Sequence, residues 1–176
     1  MIPIIETKRL RLVPPSIECF GAYEEFYTDK EASKMYGGPI KKEQVLARLK
    51  ADLGSWHLLG FGVWAIQLKS DNSYIGKCGF WQGKDWPREL TWWVTPEGRG
   101  KGIATEASNA ALLHAYNEFK WNIVETYMDD ENITARALVE RLGGKKARRA
   151  KFNDAWFQVI TATPLCCKQI FLQPYK

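Results

Sequence analysis

The amino-acid sequence predicts an α+β domain in which a mostly antiparallel sheet of about seven strands is flanked by helices. Runs rich in β-forming residues follow one another between residues 61 and 94, helical patterns occur on both sides of them, and repeated β–α–β units are absent. Hydrophobic residues make up 45% of the 176-residue chain, which suits one domain with its own core. We therefore expect a single domain over residues 1–176, with a core at about 5–163 and a tail at 164–176.

The first half of the chain is predicted to form one strand, three helices and three further strands. In residues 6–13 two leucines alternate with two arginines, which is typical of a half-buried strand. Ser16 is a suitable N-cap for a helix that continues to about residue 27. The elements expected after it are a short helix at 28–34, a helix at 42–56 and strands at 61–68, 74–81 and 88–94.

In the second half of the chain, two helices alternate with strands. The helix expected at 102–119 has small residues that permit close packing on a sheet, and its buried face comprises Ile103, Ala107, Ala111 and Ala115. A later helix begins at Asn132 and ends at Gly143–Gly144. The remaining strands are expected at 123–128, 145–151 and 156–163, with a turn at Asn153–Asp154 between the last two.

The charge balance favours a small anionic ligand over a nucleic acid. Lysine and arginine total 25 and aspartate and glutamate total 20, which gives a modest net charge of +5. The one dense basic run, residues 145–151 (KKARRAK), is interpreted as a solvated strand edge, with a polyanion site as the alternative.

The cysteines and the apolar runs bear on metal binding and compartment. Cys19, Cys78, Cys166 and Cys167 form no CxxC pair and have no histidines at metal-ligand spacing. No run reaches the roughly 20 apolar residues of a membrane-spanning helix, and the N-terminal residues do not resemble a signal peptide. We expect a cytoplasmic protein with free thiols, no bound metal and no membrane partner.

Residues 89–106 (ELTWWVTPEGRGKGIATE) pass from a predicted strand through a glycine-broken loop into the first turn of a helix. The start of a helix has unpaired N–H groups that attract anions, and glycines at 98, 100 and 102 let a phosphate approach the backbone. Arg99 and Lys101 add positive charge. The stretch therefore predicts a site for a phosphorylated ligand. It is not a Walker loop, because Lys101 is followed by glycine rather than serine or threonine.

Residues 99–104 (RGKGIA) match the [QR]-x-x-G-x-[GA] signature, and the chain in this respect resembles the GNAT acyltransferase superfamily. Asn132 and the helix ending in Leu142-Gly143-Gly144 extend the resemblance. The opening ETKRLRL followed by two helices is similar to the RimJ/RimL-like branch, which contains ribosomal-protein N-terminal acetyltransferases and many small-molecule acetyltransferases. The resemblance covers about residues 5–163.

This resemblance implies acetyl-CoA as donor and a primary amine as acceptor, either a small molecule or a protein N-terminus, with direct attack in a ternary complex. It also implies a splay between the fourth and fifth strands, with the thioester in the gap. The residues implied to hold the donor are Trp92, Trp93 and Val94 on the strand, Arg99, Gly100, Lys101, Gly102, Ile103, Ala104 and Thr105 at the loop and helix start, and Asn132.

For the chemistry, the resemblance implies that Glu89 removes the amine proton. Neighbouring aromatic residues would raise the pKa of this carboxyl toward a useful range. The alternatives are an exposed Glu89 paired with Arg88 or Lys84, or proton removal through a chain of water molecules. The main-chain N–H of Val94 is the expected donor to the oxyanion.

The general acid has no candidate in the sequence. Many members of the superfamily carry a tyrosine in the helix after the asparagine, and the positions here are Leu138, Val139 and Glu140. Members of the branch often have a serine three residues after the asparagine, where this chain has Ala135. A catalytically degenerate acyl-CoA-binding module is therefore the alternative function, and a nucleic-acid-binding domain using residues 145–151 is a third.

Three aromatic residues are candidates for the acceptor site. Tyr36 precedes Gly37-Gly38-Pro39, which is either a mobile lid or a plain turn between helices. Trp81 and Trp86 fall close to the expected cleft and would offer an aromatic face to a cationic amine. The sequence leaves both the identity of the amine and the choice between monomer and homodimer open.

Overall fold

The computed structural model describes residues 1–152 and 155–163, so the expected turn at 153–154 and the expected tail at 164–176 lie outside the described residues. The elements are β1 (Ile5–Glu6), β2 (Leu10–Val13), α1 (Phe20–Thr28), α2 (Lys30–Ser33), α3 (Lys42–Leu59), β3 (Val63–Leu68), β4 (Tyr74–Trp81), β5 (Glu89–Val94), α4 (Ile103–Asn117), β6 (Val124–Met128), α5 (Ile133–Arg141), β7 (Lys145–Phe152) and β8 (Ala155–Ala162).

The strands form two sheets, one of five strands in the order β1-β2-β3-β4-β5 and one of three in the order β6-β8-β7. The pairings from β1 to β4 and those within the second sheet are antiparallel. The α+β class with mostly antiparallel strands is therefore confirmed. Strand pairing ends between β5 and β6, which are the fourth and fifth strands of the prediction, and the predicted first strand is divided into β1 and β2.

The described residues fold as two compact units, the first comprising 1–81 with 91–108 and the second 82–90 with the described residues from 109 onward. In the first unit, α1 presents an aromatic face to the core, where Tyr23, Phe26 and Tyr27 pack around Trp93. The Trp93 ring stacks on Phe26 with 4.3 Å between ring centroids. The first unit is thus held by aromatic contacts between a helix and β5.

A buried ion pair ties α3 to β4 in the same unit. The Lys77 ammonium lies 2.6 Å from the Asp52 carboxylate, and both side chains are 6% exposed. The Tyr23 hydroxyl donates to the same carboxylate at 2.8 Å. Burial alone would lower the pKa of Lys77, but the negative charge of Asp52 outweighs it and the pKa is raised. Removal of either residue would therefore leave the other charge buried without a counter-charge.

Replacing Lys77 with methionine is expected to lower the free energy of unfolding by about 3 kcal/mol, because it leaves Asp52 buried without a counter-charge. The control is Lys69→Met, which breaks a partly exposed pair with Glu6 and should cost less than about 1 kcal/mol. Urea unfolding of both variants measures the difference. Equal losses in the two variants would contradict the prediction.

The second unit is built on β6 and β8. Val124, Val159 and Ile160 on these strands and Leu138 and Val139 on α5 are all buried. Gly144 follows α5, where a Cβ atom would lie 2.8 Å from the Val139 carbonyl oxygen and 2.9 Å from Ile160. The Gly143–Gly144 sequence therefore ends the helix and permits this close approach. Among the helices of the described residues, none is long and apolar enough to cross a membrane.

Candidate functional site

The loop between β5 and α4 has the backbone that an anion site requires. Residues 99–102 are exposed, and Gly100 and Gly102 have left-handed φ values of +72° and +73°, which favour glycine. The Gly102 carbonyl accepts the N–H of Glu106 at 3.0 Å. The N–H groups of residues 103–105 are therefore the first of the helix and have no acceptor within it. They lie directly after two cationic residues, Arg99 and Lys101.

At the free edge of β5, the edge opposite β4, two main-chain carbonyl groups accept hydrogen bonds from side chains. Because the Thr95 N–H donates to Ile75 on the β4 side at 2.8 Å, strand alternation directs the main-chain groups of Trp92 and Val94 to the opposite edge. There the Tyr36 hydroxyl donates to the Trp92 carbonyl, and Arg99 Nε donates to the Val94 carbonyl at 3.4 Å. The N–H groups of residues 92 and 94 face this same edge, which thus suits a ligand that supplies hydrogen-bond acceptors.

Other predicted residues of the first unit have different surroundings. Trp93 is 2% exposed, its ring lies in the aromatic core, and by the same alternation its main chain faces β4 rather than the free edge. Trp81 is half-buried at the last position of β4. Tyr36 ends a short 3-10 turn and is followed by Gly37, whose φ of +71° is left-handed.

Glu89 begins β5 in the second unit, and its carboxyl is held by two N–H groups. The Trp86 indole donates to one oxygen at 2.9 Å, and the Tyr127 main chain donates to the other at 3.2 Å. Arg88, the alternative partner considered from the sequence, has its guanidinium carbon 3.5 Å from the centre of the Trp121 ring. Glu89 is therefore set among aromatic and main-chain groups.

Burial raises the pKa of Glu89 to about 8, and the hydrogen bonds from Tyr127 and Trp86 oppose the rise only in part. A carboxyl with a pKa near 8 is a far stronger base than an ordinary glutamate, and it still ionises close to physiological pH. The sequence predicted this direction of shift. The raised pKa makes Glu89 a candidate for a general base.

The Trp86 ring is held by a cluster of aromatic side chains in the second unit. Its centroid lies 4.6 Å from that of Phe152, 5.1 Å from that of Phe157 and 5.8 Å from that of Tyr127. Trp86 was predicted as an acceptor-site residue, and in the structure its indole nitrogen orients Glu89. Trp86 lies only three positions before Glu89, but the ring is oriented by residues of strands distant in sequence, which the sequence pattern does not reveal.

We expect Trp86→Phe to raise the pKa of Glu89 further, by up to about one pH unit, because it removes a donor that favours the carboxylate. A carbon-13 titration of labelled glutamate side chains measures the shift. Trp121→Phe is the control, since Trp121 contacts Arg88 in the same unit. An unchanged Glu89 titration in Trp86→Phe would show that the indole does not tune this carboxyl.

Asn132 is the N-cap of α5, where its side-chain oxygen accepts the Ala135 N–H at 3.2 Å. In the same helix Leu138 and Val139 are buried and Glu140 is exposed, so these positions offer no proton donor of the tyrosine type. Over residues 1–152 and 155–163, no three His, Cys, Asp or Glu side chains come together as metal ligands.

The sequence pattern does not reveal three hydrogen bonds that join the N-terminal segment to this loop and to the start of α4. Glu106, in the first turn of α4, accepts the Thr7 hydroxyl at 2.7 Å and the Arg9 Nε at 2.6 Å. Arg9 also donates to the Lys101 carbonyl at 2.8 Å. The residues before β2 therefore brace the loop from nearly a hundred positions away.

Comparisons with known proteins agree with these features. A family model for the acetyltransferase (GNAT) domain matches residues 9–145. A crystal structure of an acetyltransferase from Agrobacterium tumefaciens is 29% identical, with a TM-score of 0.84 over 92% of this chain and 95% of its own. RimL, a ribosomal-protein alpha-N-acetyltransferase in complex with coenzyme A, is 12% identical, with a TM-score of 0.74 over 92% and 98%. An aminoglycoside acetyltransferase in complex with coenzyme A is 15% identical, with a TM-score of 0.73 over 91% and 96%.

Proposed function

Because the chain belongs to the acetyltransferase (GNAT) family, we propose that it is an N-acetyltransferase that moves an acetyl group from acetyl-CoA directly to a primary amine. Acetyl transfer follows from the family, whereas the amine acceptor and the direct route are proposed here. The observation that carries the proposal is the exposed loop at 99–102, with left-handed Gly100 and Gly102 immediately before the free N–H groups of α4.

On the donor side, the N–H groups of residues 102–105 would bind the diphosphate of CoA, with added charge from Arg99 and Lys101. The free edge of β5 suits the pantetheine arm, one amide carbonyl of which would accept the N–H of Trp92. The Thr105 hydroxyl and the Asn132 side chain are further proposed contacts. Two proteins of the same fold were solved with coenzyme A, which supports this donor.

For the transfer itself, acetyl-CoA supplies the acetyl group as an activated thioester. We assign Glu89 as the general base that takes the amine proton, because its carboxyl is oriented by Trp86 and has a pKa of about 8. The N–H of Val94 is assigned to the oxygen that gains negative charge. The thiolate of CoA is a good leaving group, so the chemistry does not depend on a tyrosine at Leu138 or Val139.

Direct transfer is supported by the two cysteines of the described residues. Cys19 and Cys78 are buried, and burial raises the pKa of Cys78 to about 12. A nucleophilic cysteine needs an accessible thiolate. Neither of these side chains suits a covalent acetyl-enzyme.

The acceptor class stays open between a protein N-terminus and a small-molecule amine. RimL and the aminoglycoside enzyme represent one of each. Tyr36 and Trp81 are the proposed acceptor-side residues in the first unit.

The test is the release of free thiol from acetyl-CoA in the presence of an amine panel that includes peptides with free N-termini, aminoglycosides and polyamines. Mass spectrometry of the products should show an acetylated amine. Tight binding of CoA in calorimetry without release of thiol for any amine would instead support the degenerate CoA-binding module, which Ala135 and the buried Leu138 favour.

A further inference from the structure

Arg9 joins two parts of the loop region with a single planar group. Its Nε lies 2.6 Å from one oxygen of Glu106, and its Nη1 lies 2.8 Å from the Lys101 carbonyl oxygen. The other Glu106 oxygen accepts the Arg9 main-chain N–H at 2.9 Å and the Thr7 hydroxyl at 2.7 Å. The guanidinium fork is rigid, so fixing its Nε on the carboxylate also fixes the direction of its bond to Lys101.

The Glu106 carboxylate is well suited to anchor this fork. Burial would raise its pKa, but the hydrogen bonds from Thr7 and Arg9 outweigh burial, and the pKa lies below the ordinary value. The side chain is 17% exposed. Glu106 is therefore an ionised, partly buried acceptor at neutral pH, and its hydrogen bonds are charge-assisted.

The contact with Lys101 decides which way one peptide group of the loop faces. The peptide between Lys101 and Gly102 is trans, so its C=O and N–H point in opposite directions. Gly100 and Gly102 flank Lys101 with left-handed φ values, and glycine lets such a peptide flip at little cost. Holding the Lys101 carbonyl toward Arg9 directs the Gly102 N–H to the other side.

We propose that Arg9 is a positioning residue for the diphosphate of CoA, which selects the peptide orientation that presents the Gly102 N–H to the anion. This inference rests on the proposed function, in which the loop binds CoA. Glu106 and Thr7 act through Arg9, because they hold its guanidinium in place. None of the three needs to touch the ligand.

An effect of the charge of Arg9 and an effect of its shape lead to different expected results for Arg9→Lys. Attraction of an anion requires only the positive charge, which lysine retains. Selection of the peptide orientation requires the fork, because a single ammonium cannot hold both the Glu106 carboxylate and the Lys101 carbonyl in one plane. The Arg9 side chain is 45% exposed, so it contributes little to global stability.

The experiment compares Arg9→Lys with Arg11→Lys. Arg11 lies two positions further along the chain, in β2, and bonds instead to Glu6 and Asn72. Calorimetry should show CoA binding about tenfold weaker in Arg9→Lys, equivalent to one lost charge-assisted hydrogen bond. The change in Arg11→Lys should be less than about twofold. Hydrogen exchange and the nitrogen-15 shift of the Gly102 amide, measured without ligand, should change only in Arg9→Lys.

Wild-type affinity in Arg9→Lys would overturn the proposal. Weaker binding with an unchanged Gly102 amide would also overturn it, because charge alone would then explain the loss. If wild type binds no CoA, the proposed function fails, while the Gly102 amide of the free protein still decides whether Arg9 orients the peptide. If Arg9→Lys does not fold, Glu106→Gln weakens the same anchor and should alter the Gly102 amide in the same direction.

Discussion

Gly102→Glu is expected to abolish the binding of CoA while the protein remains folded. A carboxylate added at this position would bring negative charge into the loop that is proposed to hold the diphosphate, and two like charges 4 Å apart repel by about 4 kcal/mol at an effective dielectric constant of about 20. That energy corresponds to roughly a thousandfold loss of affinity. We therefore expect calorimetry to detect a loss of at least about a hundredfold.

The substitution also strains the backbone, and this effect has to be separated from repulsion. Gly102 has a φ of +73°, where a side chain costs about 1–2 kcal/mol. Among the described residues, a Cβ atom there would meet only Arg9 Nη2, at 3.5 Å. Gly60→Glu is the matched control, since Gly60 has a φ of +76° and an added Cβ would have no atom of the described residues within 4 Å. Both variants should show a similar small drop in melting temperature. Unchanged CoA affinity in Gly102→Glu would remove the loop from the proposed site.

Elements set by local pattern were predicted well from the sequence. The strand at 74–81 is observed as Tyr74–Trp81, Ser16 caps a helical turn as expected, and the helix predicted to begin at Asn132 has that residue as its N-cap. The helix predicted at 42–56 continues to Leu59, where Gly60 provides the left-handed stop. The difference arises because the apolar stripe ends at Trp56, whereas the helix itself continues until the backbone requires a glycine.

Elements set by distant contacts were not predicted. Residues 6–13 were expected to form one strand, but the chain turns after β1. Thr7 accepts the Leu10 N–H on its hydroxyl and donates its own N–H to the Leu10 carbonyl. Glu106, 97 positions after Arg9, binds the main chain of that turn. The alternation of leucine and arginine does not indicate a partner so far away in the sequence.

The environment of Glu89 was predicted in direction but not in detail. The sequence predicts a raised pKa from the neighbouring Trp92 and Trp93, and the pKa is about 8. The indole that contacts the carboxyl is that of Trp86, while the Trp93 ring packs in the aromatic core of the first unit. Neighbouring aromatic residues thus predict the direction of the shift, whereas the fold shows that burial causes it and that Trp86, three positions before Glu89, makes the contact.

Glu89→Gln is expected to lower the turnover number by about a hundredfold to a thousandfold, the usual loss on removing a general base. Glutamine has the same shape and retains an oxygen that can accept an N–H from Trp86 or Tyr127, so CoA affinity should change by less than about twofold. Steady-state kinetics measure the turnover number with a free amine that the panel has identified as a substrate, and calorimetry measures the affinity for CoA. A wild-type turnover number would show that proton removal occurs elsewhere, for example through water.

The same variant tests the pKa through stability. The pKa of Glu89 rises from 4.5 to about 8 on folding, so below about pH 4.5 the carboxyl is neutral in both states and costs nothing. Between the two values the unfolded chain releases the proton first, and the folded state of wild type loses stability as pH rises. Glu89→Gln has no such loss. Urea unfolding should therefore show the variant gaining on wild type from pH 5 to pH 8, by a few kcal/mol at about 1.4 kcal/mol per pKa unit, and then levelling off. A difference that does not change with pH would mean that Glu89 ionises normally, which would remove the physical basis for assigning it as the base.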